Sequence, residues 1–87
     1  MDERKFFELL GYVKVSINRT KTMQTLGRDI KIPSEIAKEA DIRTSQVSGS
    51  LADLKKAGLV ICLNEEARKG RLYKCTDIGL EIIKYLN

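Results

Sequence analysis

The sequence predicts a mainly α-helical domain with one small β-hairpin, an α+β fold formed by a single unit over residues 1–87. Apolar residues recur at helical spacing in five separate segments. Two short stretches, 59–63 and 71–75, are instead rich in branched and aromatic residues, and a polar loop containing Gly70 joins them. The length suffices for one modest hydrophobic core and hence for one domain.

The first two helices are predicted from apolar periodicity and a glycine stop. Residues 2–15 carry an unusually wide apolar surface, and Gly11 is the position that could disturb this helix. Asn18 is the expected N-cap of a second helix, which ends at Gly27. The residues predicted to face inward in the second helix are Ile17, Met23 and Leu26.

A short strand and a short helix are predicted next. Residues 29–32 alternate in polarity as a strand does. Ser34 follows the single proline of the chain and can cap a short helix. The small residues Ala37 and Ala40 lie on one face of this helix, so a second helix can cross it closely.

That second helix completes a predicted helix-turn-helix pair over residues 34–58. Ile42 is placed to plug the turn, and Thr44 is the predicted N-cap of a helix over 44–57. Gly58 ends the helix after two lysines that suit the negative end of the helix dipole. Its inward residues are predicted to be Val47, Leu51 and Leu54.

The remaining residues predict a hairpin over 59–75 and a last helix over 77–86, capped by Thr76. The order is helix, helix, short strand, helix, turn, helix, strand, strand, helix. This is the order of a winged helix-turn-helix with an extra N-terminal helix, in which the hairpin is the wing.

The outward face of the 44–57 helix shows small or bare positions where a surface helix usually carries long charged side chains. These positions are Ser45, Gln46, Ser48 and Gly49. Glutamine can pair with adenine through two hydrogen bonds, and serine can donate or accept at either type of base, so this face suits the major groove of double-stranded DNA. Gly49 costs about 1 kcal/mol of helix propensity relative to alanine. Either the helix approaches a groove wall or phosphate closely there, or Gly49 is a weak point of an ordinary surface helix; we favour the first interpretation.

Basic charge is concentrated in the same half of the chain. The net charge is +4, and residues 43–75 account for it, with seven basic and three acidic residues. The predicted wing loop, 64–71, is expected to contact the DNA backbone or the minor groove, although charged loops are often merely solvated. The predicted DNA-binding residues are Arg43, Thr44, Ser45, Gln46, Ser48, Gly49, Arg68, Lys69 and Arg71.

The composition argues against several classes of function. The chain has no histidine, and no nucleophile–base pair, phosphate loop or metal cluster is visible, so we predict no enzyme, no cofactor and no metal site. Cys62 and Cys75 are interpreted as half-buried reduced thiols, with a redox switch as the alternative. There is no apolar run of transmembrane length and no secretory signal pattern, so we expect a cytoplasmic protein without a membrane partner.

The stretches "PSEIAKEADIRTSQVSGSLADLKKAGLV" and "CLNEEARKGRLYKCTDIGLEII" resemble the winged helix-turn-helix transcriptional regulators of archaea, in the broad neighbourhood of the MarR and ArsR families. The resemblance covers residues 12–86. It implies a DNA-binding regulator whose second motif helix reads the major groove and whose wing touches the backbone or minor groove. On this chain the implied readout residues are Ser45, Gln46, Ser48 and Gly49, and the implied wing contacts are Arg68, Lys69 and Arg71.

The sequence therefore predicts a sequence-specific, repressor-like DNA-binding regulator. The alternative is a winged-helix protein-interaction module within a transcription complex, which should show an apolar patch in place of the positive wing.

A homodimer is expected because the apolar surface of the N-terminal helix (1–16) and of the last helix exceeds what a core of this size covers. The alternative to a dimer is that the first helix folds over the chain's own core and covers its apolar surface there. The residues assigned to dimerisation are Phe6, Phe7, Leu10, Ile82, Ile83 and Leu86.

Overall fold

The computed structural model describes residues 2–86, which form five helices and a two-stranded antiparallel sheet. This order confirms the predicted mainly helical winged helix-turn-helix with an extra N-terminal helix. None of the helices within residues 2–86 is long and apolar enough to cross a membrane. The elements are α1 (Glu3–Lys14), α2 (Ile17–Leu26), α3 (Pro33–Ala40), α4 (Thr44–Lys56), β1 (Val60–Cys62), β2 (Tyr73–Cys75) and α5 (Asp77–Ile83).

The buried apolar residues form one cluster, to which α4 contributes its inward face. Val47, Leu51 and Leu54 on the inward face of α4 are fully buried, as predicted. The helix contacts α2, α3 and β1 through this face. Each fully buried side chain of this kind contributes roughly 1.5–3 kcal/mol relative to its exposed state. The inward face therefore fixes which side of α4 is left for solvent or a ligand.

The start of α2 lies two residues before the predicted one. Ser16, not Asn18, is the N-cap, and its hydroxyl oxygen accepts a hydrogen bond from the backbone N–H of Arg19 at 3.2 Å. The earlier start turns Ile17 outward, so that it is 69% exposed and the prediction that it faces inward is wrong. The other two predicted inward residues are fully buried, and Gly27 ends the helix with φ +52° as expected.

The predicted caps of α3 and α4 are also wrong by one or two residues. Ser34 lies inside α3, because Pro33 occupies the first helical position, where its fixed φ and missing N–H cost nothing. Thr44 is already helical, and Arg43, with an extended backbone, precedes it without a side-chain cap.

Two residues with positive φ end the helices of the motif. Asp41 adopts φ +57° after α3 and lets the chain turn sharply, while Ile42 is partly buried against the core as the predicted plug. Gly58 adopts φ +80° after α4, and the N–H of Leu59 donates to the carbonyl of Leu54 at 2.9 Å. This is the hydrogen bond of a Schellman motif, and it confirms Gly58 as the residue that ends the helix.

The strand predicted at 29–32 is reduced to a single bridge. The N–H of Lys31 donates to the carbonyl of Tyr73 at 3.1 Å, and the N–H of Tyr73 donates back at 2.9 Å. The Lys31 ammonium also donates to the carboxylate of Glu39 at 2.8 Å and to the carbonyl of Thr25 at 2.9 Å. Lys31 therefore joins α2, α3 and the sheet, and β2 has a neighbour on both sides.

The backbone of α5 approaches the end of the Gly58–Leu59 turn closely where the helix begins. A Cβ atom on Gly79 would lie 2.1 Å from the carbonyl oxygen of Leu59. The same oxygen accepts a hydrogen bond from the N–H of Thr76 at 3.0 Å, and the Thr76 hydroxyl caps α5 by accepting from the N–H of Gly79 at 3.1 Å. Thr76 is thus confirmed as the N-cap, and the position three residues later has room only for glycine.

Gly79→Ala should lower the free energy of unfolding by about 1–3 kcal/mol, because the added methyl group overlaps a backbone atom that cannot rotate away. Urea denaturation measures the change. Gly11→Ala is the matched control: apart from the adjacent backbone of its own helix, no atom of the described residues lies within 4 Å of the added Cβ, and alanine should stabilise α1 by about 1 kcal/mol. If both variants are equally stable, the close approach at α5 is not a constraint.

Candidate nucleic-acid interface

The first turns of α4 present a polar surface without long charged side chains. Thr44, Ser45, Gln46, Ser48 and Gly49 are all exposed and lie opposite the buried face of the helix. A Cβ atom added to Gly49 would meet nothing within 4 Å. Packing within the chain therefore gives no reason for glycine at this position, which leaves close approach by an external molecule as the physical reason that we favour.

A groove between α3, α4 and the hairpin brings the helix and the wing together. Thr44 and Ser48 line it from α4, and Ser34 lines it from the start of α3. The wing loop supplies Arg68 and Lys69 from the opposite side. Five predicted site residues from α4 and the wing loop, Arg71 among them, thus share one concave surface. The other four predicted site residues, Arg43, Ser45, Gln46 and Gly49, lie exposed outside the groove lining.

Arg71 has a structural part in the wing that sequence reasoning missed. Its Nε donates to the carbonyl of Ala67 at 2.9 Å, and one terminal nitrogen donates to the carbonyl of Glu65, also at 2.9 Å. The guanidinium therefore folds the loop around itself. The sequence of a polar loop does not distinguish an arginine that donates to the loop's own carbonyls from one that binds an external anion.

Two further side chains, Asn64 and Lys55, hold the wing in place. The side-chain oxygen of Asn64 accepts from the N–H of Leu72 at 2.7 Å, and its amide nitrogen donates to the carbonyl of Gly70 at 3.2 Å. Lys55 on α4 forms an ion pair with Glu65, and this hydrogen bond lowers the pKa of the Glu65 carboxyl. The loop is thereby tied both to its own base and to the helix beside it.

The side chains of Arg68 and Lys69 have no ion-pair partner among residues 2–86. Both side chains are exposed. Two cations therefore project from a braced loop beside the polar face of α4. A partner with regularly spaced negative charges would meet both features together.

The orientation of α4 is set by a second polar contact on the opposite side of the molecule. One terminal nitrogen of Arg19 on α2 lies 3.2 Å from the Asp53 carboxylate on α4. The other donates to the carbonyl of Tyr12 on α1 at 2.8 Å, and the guanidinium carbon lies 3.9 Å from the centroid of the Tyr12 ring. Arg19 therefore connects the three helices, and no sequence pattern pointed to it.

The structure confirms the predicted half-burial for Cys62 but not for Cys75, which is buried. This burial raises the pKa of the Cys75 thiol to about 11. Cys62 is half-buried and lies opposite Tyr73 in the hairpin, whereas Cys75 lies opposite Val60. The two residues are not cross-strand partners, and neither forms a disulfide.

The raised pKa predicts that Cys75 reacts slowly with thiol reagents. Because the thiolate is the reactive form, a pKa near 11 leaves little of it at pH 8 and increasing amounts as the pH approaches 11. Titration of the native protein with Ellman's reagent at pH 8 should show one fast thiol, which Cys62→Ser removes. The matched variant Cys75→Ser should retain the fast phase; a fast phase lost in that variant would contradict the assignment.

The predicted dimerisation residues divide into two groups. Leu10, Ile82 and Leu86 are buried in the chain's own core, because α1 packs over α5. They offer no surface to a second copy, so assigning them to dimerisation needs correction. Phe7 is 53% exposed, whereas Phe6 and Ile83 are partly buried against the core.

Comparison with solved structures defines the class of domain. The MarR family regulator NMB1585 from Neisseria meningitidis is 22% identical with a TM-score of 0.73, and the match covers 91% of this chain and 57% of that one. Reduced HlyU from Vibrio cholerae is 21% identical with a TM-score of 0.74, covering 93% of this chain and 84% of that one. MepR from S. aureus, solved as a complex with DNA, is 17% identical with a TM-score of 0.70, covering 95% and 70%.

The chain thus has the winged helix-turn-helix fold that is found in MarR-family regulators. It spans little more than half the length of NMB1585. No protein-family model matches the sequence, and neither does any curated protein.

Proposed function

We propose that this chain is a sequence-specific DNA-binding transcriptional regulator that acts without catalysis. In this proposal the exposed face of α4 enters the major groove, and the loop over 64–71 contacts the backbone or the minor groove. The observation that carries the proposal is the groove that Thr44 and Ser48 line together with Arg68 and Lys69, two cations that form no ion pair within residues 2–86. Support also comes from the fold shared with MepR, which was solved bound to DNA.

The two parts of the surface would divide the work of recognition. The cations of the wing add affinity for any duplex, because they release counterions from phosphates. Ser45, Gln46 and Ser48 are short or uncharged, so they contribute hydrogen bonds to base edges more than they contribute charge. Arg43, which directly precedes α4, is proposed as a further backbone contact. Repressor-like action, a cytoplasmic location and an archaeal kind of regulator are parts of the same proposal that rest on the sequence.

We also propose a homodimer, now built from a smaller surface than the sequence suggested. Phe7 and Tyr85 are both about half exposed, and the Phe6 ring bridges them at 5.7 and 5.4 Å between centroids. An isologous contact through this aromatic surface would pair two copies about a twofold axis. Two recognition helices about 34–36 Å apart would then reach successive major grooves.

Replacing Arg68 and Lys69 together by alanine should make DNA binding less sensitive to salt. The slope of log K against log salt is negative, and its magnitude should decrease by about 0.9 for each phosphate that the wing no longer neutralises. Fluorescence anisotropy with a labelled duplex at several salt concentrations measures this slope. The double variant Arg4→Ala with Lys5→Ala removes the same charge from α1 and should leave the slope unchanged. An unaltered slope in the wing variant would mean that the wing does not contact phosphates.

Gln46→Ala should reduce sequence discrimination more than general affinity. On a site selected from a random duplex pool, the loss should be about 1–3 kcal/mol, with little loss on unselected DNA. Competition binding with both DNAs gives the two values, and thermal unfolding checks that the variant is folded. Equal losses on the two DNAs would show that Gln46 positions the backbone and reads no base.

Sedimentation equilibrium at micromolar concentration tests the dimer. The expected mass is about twice the 9.8 kDa of the chain, because an exposed aromatic surface is best buried against its symmetric copy. Phe7→Glu should return the mass to that of one chain. Val15→Glu, at a well-exposed apolar position outside the aromatic surface, is the matched control and should remain dimeric. A wild-type mass of one chain would rule the dimer out.

A further inference from the structure

A second exposed surface lies on the wing sheet, and it is apolar. The antiparallel register places Ile61 opposite Lys74, and the N–H of Leu63 donates to the carbonyl of Leu72 at 2.8 Å one step further along. Because directly opposite residues share a face, these four side chains lie on the same side of the hairpin, named here the outer sheet face. Three of its members are apolar and exposed: Ile61 at 42%, Leu63 at 47% and Leu72 at 36%.

This face extends beyond the hairpin to a third segment. Lys31 bridges to Tyr73 on the other side of β2, and its neighbour Ile30 is half exposed. Four of the large apolar side chains exposed in the structure thus come from three adjacent segments of one small sheet. Single exposed apolar residues are ordinary on a protein surface, but a contiguous group of them marks an interaction site.

The outer sheet face is turned away from the groove proposed for DNA. Tyr73 is buried on the inner side of the sheet and lines that groove together with α4. Successive residues of a strand point to opposite faces, so Leu72 and Lys74 project on the other side. A molecule on the outer sheet face would therefore leave the recognition helix free.

The charge on the outer sheet face limits which kind of molecule can bind there. Lys74 is its charged member, and within residues 2–86 its ammonium forms no ion pair. A second copy placed across a twofold axis through this face would bring two such ammonium groups close together, which is unfavourable. Nucleic acid would meet mainly aliphatic side chains, unlike at the cationic wing loop. One ammonium group surrounded by aliphatic side chains is instead complementary to a protein surface on which one carboxylate lies among apolar side chains.

We propose that the outer sheet face binds a second protein, through a segment that carries an acidic residue within a row of apolar side chains. The proposal goes beyond DNA binding and does not depend on it. The small area makes the contact a weak, transient one. Such a contact would let a DNA-bound regulator recruit a further component, because the two surfaces lie on opposite sides of the sheet.

Selection from a displayed library of random peptides tests the proposal. The wild-type protein should enrich peptides with Asp or Glu among Leu, Ile, Val or Phe. The double variant Ile61→Thr with Leu63→Thr should not enrich them, although threonine keeps the β-propensity that the hairpin needs. Thermal unfolding and duplex binding of this variant verify that it is folded. If the two proteins enrich the same peptides, or if neither enriches any, the outer sheet face is not a binding surface.

A synthetic copy of the most enriched peptide then tests the role of charge. Lys74→Glu should bind it about tenfold or more weakly, since one partner of a charge pair is inverted. Lys14→Glu makes the same change of charge on α1 and should bind it like the wild type. Unchanged binding by Lys74→Glu would overturn the proposal, and so would enrichment of basic peptides.

Two further measurements separate this proposal from its rivals. A saturating duplex should leave peptide affinity unchanged, whereas competition would place the peptide in the groove between α4 and the wing. A protein that binds the peptide but no DNA would refute only the DNA-binding proposal. A dimer mass that is abolished by Leu63→Asp and retained on Phe7→Glu would mean that a second copy occupies the outer sheet face, which would overturn the proposal.

Discussion

The burial of one face of α4 is the constraint on which the rest of the structure depends. Val47, Leu51 and Leu54 are fully buried, and through them α4 contacts α2, α3 and the hairpin. The opposite side of α4 is exposed in its first turns, where the residues are polar or glycine. The residues on that opposite side are then free of packing demands, and this explains how a glycine can stand there although it weakens the helix. The surface proposed to read DNA thus consists of the α4 residues that do not pack in the core.

The wing follows a different logic, because hydrogen bonds rather than apolar packing give it shape. Asn64 closes the base of the loop, Arg71 donates to two carbonyls within it, and the Lys55–Glu65 ion pair ties it to α4. Exposed ion pairs contribute little stability singly. The hydrogen bonds and the ion pair act here by fixing the position of the loop. They hold Arg68 and Lys69 beside α4 and leave both side chains exposed. Glu65, whose charge alone would weaken a phosphate-binding loop, is part of what places that loop.

Hydrophobic periodicity and glycine stops were sufficient to predict the fold, the helix-turn-helix and the exposed face of α4, because these depend on local patterns. The predicted caps of α2, α3 and α4 were wrong. In α2 the chain offers both Ser16 and Asn18, and Ser16 is the one that caps the helix, whereas α3 and α4 begin after Ile32 and Arg43, whose side chains form no cap and carry no capping signal. Ile17 turned outward because α2 begins earlier than predicted. The burial of Leu10 beneath α5 and the bracing by Arg71 and Arg19 could not be predicted, because they join residues that are distant in sequence or lie within a loop without periodicity.

The hairpin also shows why function cannot be assigned to a wing as a whole. Strand residues alternate between faces, so one short sheet carries two surfaces of opposite character. The inner side, with Tyr73, borders the polar groove with its cations, whereas the outer side exposes Ile61, Leu63 and Leu72 around Lys74. The sequence raised DNA binding and protein interaction as alternatives, on the ground that an interaction module should replace positive charge with an apolar patch. Both features are present on opposite sides of the same sheet, so the two functions are compatible and have to be tested separately.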